Sequence, residues 1–373
     1  MPLVLYRKYR PKTFSEIIGQ EHVVKTLMNS IIIGKISHAY LFSGPRGSGK
    51  TTVARIFAKA VNCQNRKEGE AEPCNQCSSC QEINSGRAVD LIEIDAASHR
   101  GIDEIRELRN NTKILPVRSK YKIFIIDEAH QLTKEAANAL LKTLEEPPPH
   151  VIFILATTEI QKMIPTILSR CQRFEFKRLT VKEIIKKLKM ICEKEKVKIE
   201  QKALELIAIH AAGSLRDAES LLNQALNLGL EEGIIKAEKV EEILGIVDIE
   251  LLTKFVDILI SKDAPRAIDF INKAIQRGVD INEFTKNLIN YLRGILITKI
   301  VGTLSEIENF LNIELTQEAI KKMEEQSKKI TFEEIKRLLD LIVDANTKMK
   351  FSPIAQLPLE LAIFEFSQKT DKM

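Results

Sequence analysis

Gly44-Pro45-Arg46-Gly47-Ser48-Gly49-Lys50-Thr51 is the stretch that decides the fold class. It matches G-x-x-x-x-G-K-T, with the apolar run Ala39–Phe42 before it and a helical pattern from Thr51 onward. The glycines let the backbone wrap a phosphate with its N–H groups turned inward. The helix start adds partial positive charge. Lys50 is placed to reach the outer phosphates and the Thr51 hydroxyl to hold Mg²⁺. A plain glycine turn is the alternative, but three glycines with Lys-Thr rarely coincide in a strand–loop–helix context.

Working outward, Val89–Ile94, Ile123–Ile126 and Val151–Ala156 are further short runs rich in Ile, Val and Phe, separated by helix-length segments. This alternation predicts an α/β fold: a parallel sheet with helices on both faces. Ile123–Ile126 delivers Asp127-Glu128 to a strand's carboxyl end, where open α/β sheets bind ligands. Asp127 is expected to orient Mg²⁺, and Glu128 to act as the base, or orienter, for an attacking water. Alone, that pair would read equally as an acidic turn capping the next helix. Thr157 and Thr158 follow the next strand and are either γ-phosphate ligands or a helix N-cap. Arg170, in Ser169-Arg170-Cys171, and Arg216, near the start of a helix opened by Ser214, read on composition as surface charges.

Beyond residue 180 apolar residues recur at spacings of three and four and strand signals vanish, so the second half is expected to be all-helical. Thr180-Val181-Lys182-Glu183 and Thr331-Phe332-Glu333-Glu334 read as helix starts. The expected domains are 1–179, 180–243 and 244–373. The composition is 44% apolar and 29% charged in 373 residues, which excludes wholesale disorder. No apolar run reaches about 18 residues, so no membrane span is expected. The opening residues lack a signal core, which points to the cytoplasm. The net charge of +5 is too mild to establish nucleic-acid binding. The absence of Trp argues against a base-stacking platform.

Four of the six cysteines cluster as Cys63-x10-Cys74-x2-Cys77-x2-Cys80. Thiolates at this spacing can close on one tetrahedral Zn²⁺, a structural site with no open position. An iron–sulfur cluster and unliganded thiols are the alternatives. The polar segment Glu68–Glu72 makes residues 63–80 look like a surface insertion.

Several motifs together resemble one family. They are Tyr9-Arg10-Pro11-Lys12-Thr13-Phe14, Ile17-Ile18-Gly19-Gln20-Glu21-His22, Gly44–Thr51, Asp127-Glu128-Ala129-His130, Leu140–Pro147, Ala156-Thr157-Thr158, Ser169-Arg170-Cys171 and Gly213-Ser214-Leu215-Arg216-Asp217. In this order they resemble the clamp-loader ATPases of the AAA+ class, and the cysteine insertion narrows the likeness to the bacterial DNA polymerase III gamma/tau family. The likeness is densest over residues 2–243; residues 244–373 match in helical character and position alone.

The resemblance implies a P-loop NTPase core, a helical lid and a helical collar, with ATP, Mg²⁺ and Zn²⁺ as cofactors. It implies that Gly44, Pro45, Arg46, Gly47, Ser48, Gly49, Lys50, Thr51 and Thr52 hold phosphates. Tyr9, Arg10, Pro11, Ile17, Ile18 and Leu215 would surround the adenine. Asp127 and Glu128 would be the magnesium-orienting and catalytic acids, Thr158 the first sensor and Arg216 the second. Arg170 would be an arginine finger acting on ATP held by a neighbouring subunit. Cys63, Cys74, Cys77 and Cys80 would bind zinc.

The implied partners are delta-type and delta-prime-type subunits, copies of the chain itself in a pentamer, a sliding clamp and primer–template DNA. Ser98 and Arg100, at a strand end before a helix, are the candidate contacts to the DNA backbone; a helix-cap loop is the alternative. Tau forms carry additional C-terminal domains, whereas this sequence stops at Met373, so a short gamma-type form or a part of a longer chain is expected. Two other functions compete with a clamp-loading motor: a nucleotide-binding assembly scaffold with little turnover, and an AAA+ DNA helicase motor. The presence of Asp127, Glu128, Arg170 and Arg216 together disfavours the first. The lack of strand signals in 244–373 disfavours the second, which would be expected to carry a DNA-reading winged domain there.

Overall fold

The computed structural model describes residues 4–98, 101–227, 234–244, 249–276, 278–301 and 317–368. The chain forms two compact units, Met1–Ile235 and Lys236–Met373.

The first unit is built on five strands: β1 (Ala39–Ser43), β2 (Leu91–Asp95), β3 (Lys122–Asp127), β4 (Val151–Thr157) and β5 (Gln172–Glu175). They pair in parallel in the order β2-β3-β4-β1-β5. Every residue of β1 and β4 is buried. That explains their unbroken apolar runs: helices cover both faces, so no polar alternation is needed. On one face Tyr40, Phe42, Ile123, Ile125, Ile152 and Ile154 pack against Val53, Ile56 and Phe57 of the helix Lys50–Val61. On the other, Leu41, Phe124, Ile126, Phe153 and Leu155 meet Leu140 and Leu144 of the helix Lys134–Glu145.

After the sheet come the helices Val181–Glu195, Gln201–His210 and Leu215–Asn227. The first opens on a reciprocal capping box between Thr180 and Glu183. The expectation of a wholly helical second half needs one correction. Lys198–Ile199 and Ile234–Ile235 pair as two-residue parallel strands, and the Glu200 N–H donates to the Ile235 carbonyl at 3.0 Å. Strands of two residues leave no periodic signal.

In the second unit the described elements are helices: Ala237–Leu244, Ile249–Ile260, Ala264–Gln276, Ile281–Val301, Gln317–Lys329, Phe332–Met349 and Leu357–Ser367. Phe255 and Phe284 meet edge to face at 5.2 Å within a core that includes Leu288, Leu292, Leu338, Ile342 and Ile363. Buried in the same unit, Gln326 accepts from the Tyr291 hydroxyl at 2.8 Å and donates to the Thr253 carbonyl at 2.9 Å. Thr331 and Glu334 form the second capping box that the sequence predicts. Among the described residues no helix is long and apolar enough to cross a membrane.

Candidate active site and metal centre

The loop after β1 turns through three glycines with positive φ: 144° at Gly44, 76° at Gly47 and 98° at Gly49. Two of them are also required by space. A Cβ at Gly44 would lie 2.3 Å from the Phe176 carbonyl oxygen, and one at Gly47 would lie 2.0 Å from Ser214 Oγ. The helix Lys50–Val61 begins directly at the end of this loop. Lys50 is 6% exposed, and its ammonium donates to the carbonyls of Gly44 (2.8 Å) and Pro45 (2.9 Å). Burial holds its pKa below the ordinary lysine value, and the charges of Glu128 and Asp127 oppose that shift.

β4 lies between β1 and β3, so the loop, the acids and the threonines share one edge of the sheet. Thr51 Oγ1 donates to Asp127 Oδ2 at 2.8 Å. Thr158 Oγ1 donates to Glu128 Oε2 at 2.9 Å. Glu128 has φ 48°, ψ 43°, a left-handed conformation that strains a side-chain-bearing residue. Of the two threonines, Thr158 is the one bonded to Glu128. Thr157 is fully buried, and its Oγ1 lies 3.0 Å from His130 Nδ1. The His130 ring also lies 3.5 Å from Glu128 Oε2 and 3.4 Å from Glu159 Oε1.

Clefts open on both sides of the phosphate loop. One, of about 720 Å³, is lined by the loop from Arg46 to Thr52, by Asp127 and Glu128, by Arg10, Pro11, Ile17 and Ile18, and by Leu179, Leu215, Arg216 and Glu219. Its phosphate end is polar and cationic, and its far end carries the apolar Ile17, Ile18, Leu179 and Leu215. Arg10 Nε donates to Thr52 Oγ1 at 3.2 Å, and burial lowers its guanidinium pKa to about 10. The other, of about 1040 Å³, exposes Glu128 and Thr158 beside Gly44, Pro45, Arg173, Lys177 and Arg178.

Sequence reasoning missed three side chains here. Tyr6 lines the first cleft, with the Arg216 guanidinium 5.0 Å from its ring centre. Tyr9, the expected aromatic, is not among the lining residues; its ring lies beside Lys8 and Lys194. Glu219 lines the cleft one turn beyond Leu215, and His130 lies against Thr157. The spacing of four between Leu215 and Glu219 was a usable helical signal.

Arg170 lines neither cleft. Its guanidinium donates to Glu145 Oε1 at 2.5 Å and to the Thr166 carbonyl at 2.7 Å. Ser98 is exposed in the turn after β2 and donates to Asp95 Oδ2 at 3.3 Å; Arg100 lies outside the described residues.

The thiols of Cys63, Cys74, Cys77 and Cys80 all lie within 4.8 Å of one another. The Cys63–Cys77 and Cys74–Cys80 sulfur pairs are 4.0 and 3.9 Å apart. Thiolates about 2.3 Å from a tetrahedral Zn²⁺ stand about 3.8 Å apart, so the set fits zinc. Burial pushes the Cys80 thiol up. At Cys74 burial also acts upward, but the N–H groups of Gln76 and Cys77 and the neighbouring thiols bring it down to about 6. Three of these backbone N–H groups already point at sulfur: Cys74 at Cys63, and Gln76 and Cys77 at Cys74, at 3.3–3.4 Å. Such donors stabilise metal-bound thiolates.

Three family models match the chain: "DNA polymerase III, delta subunit" over residues 19–180, "DNA polymerase III clamp loader subunit, ATPase lid domain" over 183–231, and "DNA polymerase III subunits gamma and tau domain III" over 235–371. DNA polymerase III subunit tau of Bacillus subtilis is 42% identical over 364 residues, covering 98% of this chain and 63% of the relative. The Escherichia coli tau subunit is 44% identical, covering 80% of this chain and 46% of the relative. The gamma subunit of Buchnera aphidicola (Acyrthosiphon pisum) is 37% identical, covering 96% of this chain and 97% of the relative. The chain thus spans less than two thirds of the two tau relatives.

Proposed function

The chain belongs to the DNA polymerase III gamma/tau family, and on that premise we propose that it is an ATPase motor subunit of a bacterial replicative clamp loader. It binds ATP with Mg²⁺ in the cleft beside the phosphate loop, and hydrolysis drives release of a sliding clamp onto primed DNA. It works in the cytoplasm within a pentamer of its own copies and delta-type and delta-prime-type subunits, contacting the DNA backbone through the segment around Ser98 and Arg100. Residues 1–179 form the nucleotide-binding domain, 180–243 the lid and 244–373 the collar.

The observation that carries this reading is the pair of bonds Thr51–Asp127 and Thr158–Glu128. They support a magnesium pair and a base–sensor pair beside one phosphate loop. Asp127 and Thr51 hold Mg²⁺, Lys50 neutralises the outer phosphates, and Glu128 orients the lytic water with Thr158 fixing its carboxylate. Arg216 approaches from the lid. Arg170 serves a neighbour's ATP, supported by its position outside both clefts of its own chain. Zn²⁺ in the four-cysteine set is structural, since four protein thiolates leave no position for water.

Glu128→Gln is the direct test. It keeps the hydrogen bond from Thr158 and removes the charge that activates water. We expect ATP binding within about twofold of the unaltered chain and turnover in the assembled loader reduced by about 10² or more. Undiminished turnover would remove Glu128 from its role; loss of binding would assign it to ground-state affinity.

A further inference from the structure

The segment from Arg10 to Ile18 supplies the strap side of the first cleft through Arg10, Pro11, Lys12, Glu16, Ile17 and Ile18. Within it only Phe14–Glu16 forms a helical turn, so something outside the strap must fix its path. Arg10 is tied to Thr52 of the phosphate-loop helix, and further anchors come from the cysteine insertion. Glu72, two residues before Cys74, accepts the N–H groups of Phe14 and Ser15 with its two carboxylate oxygens, each at 2.8 Å. Ala71 joins Phe14 in the same buried cluster. Backbone N–H groups held by an ionised carboxylate are among the stronger neutral–ion hydrogen bonds.

A second tie runs through Lys59, on the phosphate-loop helix. It is 2% exposed and meets three elements at once. Its ammonium donates to the Lys12 carbonyl of the strap (2.7 Å), to Asn75 Oδ1 between Cys74 and Cys77 (2.5 Å), and to Asn84 Oδ1 on the helix Ser78–Ser85 (2.9 Å). Asn75 adopts φ 58°, a left-handed conformation that asparagine tolerates. Through Asn75 and Asn84 this one buried ammonium holds the knuckle and the helix behind it to the strap.

We propose that the four-cysteine module is a positioning device for nucleotide binding. Metal occupancy sets the knuckle, and Glu72 and Lys59 transmit that geometry to the strap that covers the cleft. Glu72 is a positioning residue in this scheme and touches no nucleotide. The inference rests on the nucleotide and zinc readings above and adds a coupling between them. Coupling between two ligands is reciprocal, so bound nucleotide must retain the metal as strongly as metal retains the nucleotide.

The test uses the full chain in three forms: zinc-loaded, stripped with a chelator, and loaded Glu72→Ala. Affinity for a fluorescent ATP analogue is measured for each, and zinc affinity is measured with and without nucleotide by competition with a chelating indicator. The Co²⁺ absorption spectrum reports whether the four thiolates of Glu72→Ala still form a tetrahedral site. We expect stripping and Glu72→Ala each to weaken nucleotide binding by about tenfold, with an unchanged Co²⁺ spectrum in the variant. Stripping Glu72→Ala should cost little more, and bound nucleotide should raise zinc affinity by the same factor in the unaltered chain but not in the variant. The coupling is overturned if Glu72→Ala, with its Co²⁺ spectrum intact, binds nucleotide as tightly as the unaltered chain. A loaded chain that binds no nucleotide instead removes the nucleotide reading, and a chain that retains no metal removes the zinc reading; either takes the coupling with it.

Discussion

Glu219 carries the clearest pH signature of any single residue. It is 5% exposed, and burial raises its carboxyl to about 7 against the pull of Lys187 and Arg10. A carboxyl whose pKa is raised on folding favours the folded state most below its unfolded value. That contribution is present in full below pH 4.5 and is lost as pH rises through about 7. Glu219→Gln cannot ionise and escapes the loss. We predict that the variant gains stability over the unaltered chain as pH rises, by up to about 3 kcal/mol at pH 8, and that the gap closes near pH 4. Chemical unfolding without nucleotide at several pH values measures it. A gap independent of pH would show that the carboxyl does not titrate between the two states. At this scale the site was legible where chemistry follows chain spacing. Lys50, Thr51, Asp127 and Glu128 each stand at a fixed offset from a buried strand. Tyr6 and His130 were not legible, because each joins the site through a tertiary meeting: Tyr6 under Arg216 of the lid, His130 against Thr157 of the next strand.

At the scale of elements, the phosphate loop and the lid are matched by the absence of one side chain. Ser214 Oγ sits where a Cβ at Gly47 would lie, and the same Oγ accepts the Asp217 N–H at the start of the lid helix (3.3 Å). Gly47→Ala must therefore push aside the Ser214 side chain that caps the helix carrying Leu215 and Arg216, besides straining a backbone at φ 76°. We expect it to weaken ATP binding by more than tenfold, a cost of ~1.4 kcal/mol or more. Ser214→Ala in the same chain should recover part of the loss. Calorimetric titration of the single and double variants decides this; equal affinity for Gly47→Ala and the unaltered chain would contradict it. The main strands were readable because both faces of the sheet are covered, which turns each strand into an apolar run. The pair Lys198–Ile199 and Ile234–Ile235 was not, since two residues hold no period. The ties from Glu72 and Lys59 were also invisible in sequence. Each joins residues many positions apart through one carboxylate or ammonium, and neither residue type signals its partner.

At the scale of the whole molecule, each compact unit holds its own core, and the residues of the proposed nucleotide site lie within the first. Arg170 lines neither of its clefts, and its guanidinium is bound to Glu145 and Thr166 of its own chain. The exposed face around Glu128 and Thr158 is where a neighbour's arginine would enter. The central claim is thus a motor whose active site is completed between subunits. The most direct measurement is ATP turnover by the chain mixed with delta-type and delta-prime-type subunits, a sliding clamp and primer–template DNA, with Arg170→Ala run in parallel. The account predicts slow turnover by the chain alone and a rise when clamp and primed DNA are both present. In Arg170→Ala that rise should be lost, by about 10³ or more, while ATP binding is retained. Turnover that ignores clamp and DNA, or that survives Arg170→Ala, would contradict it.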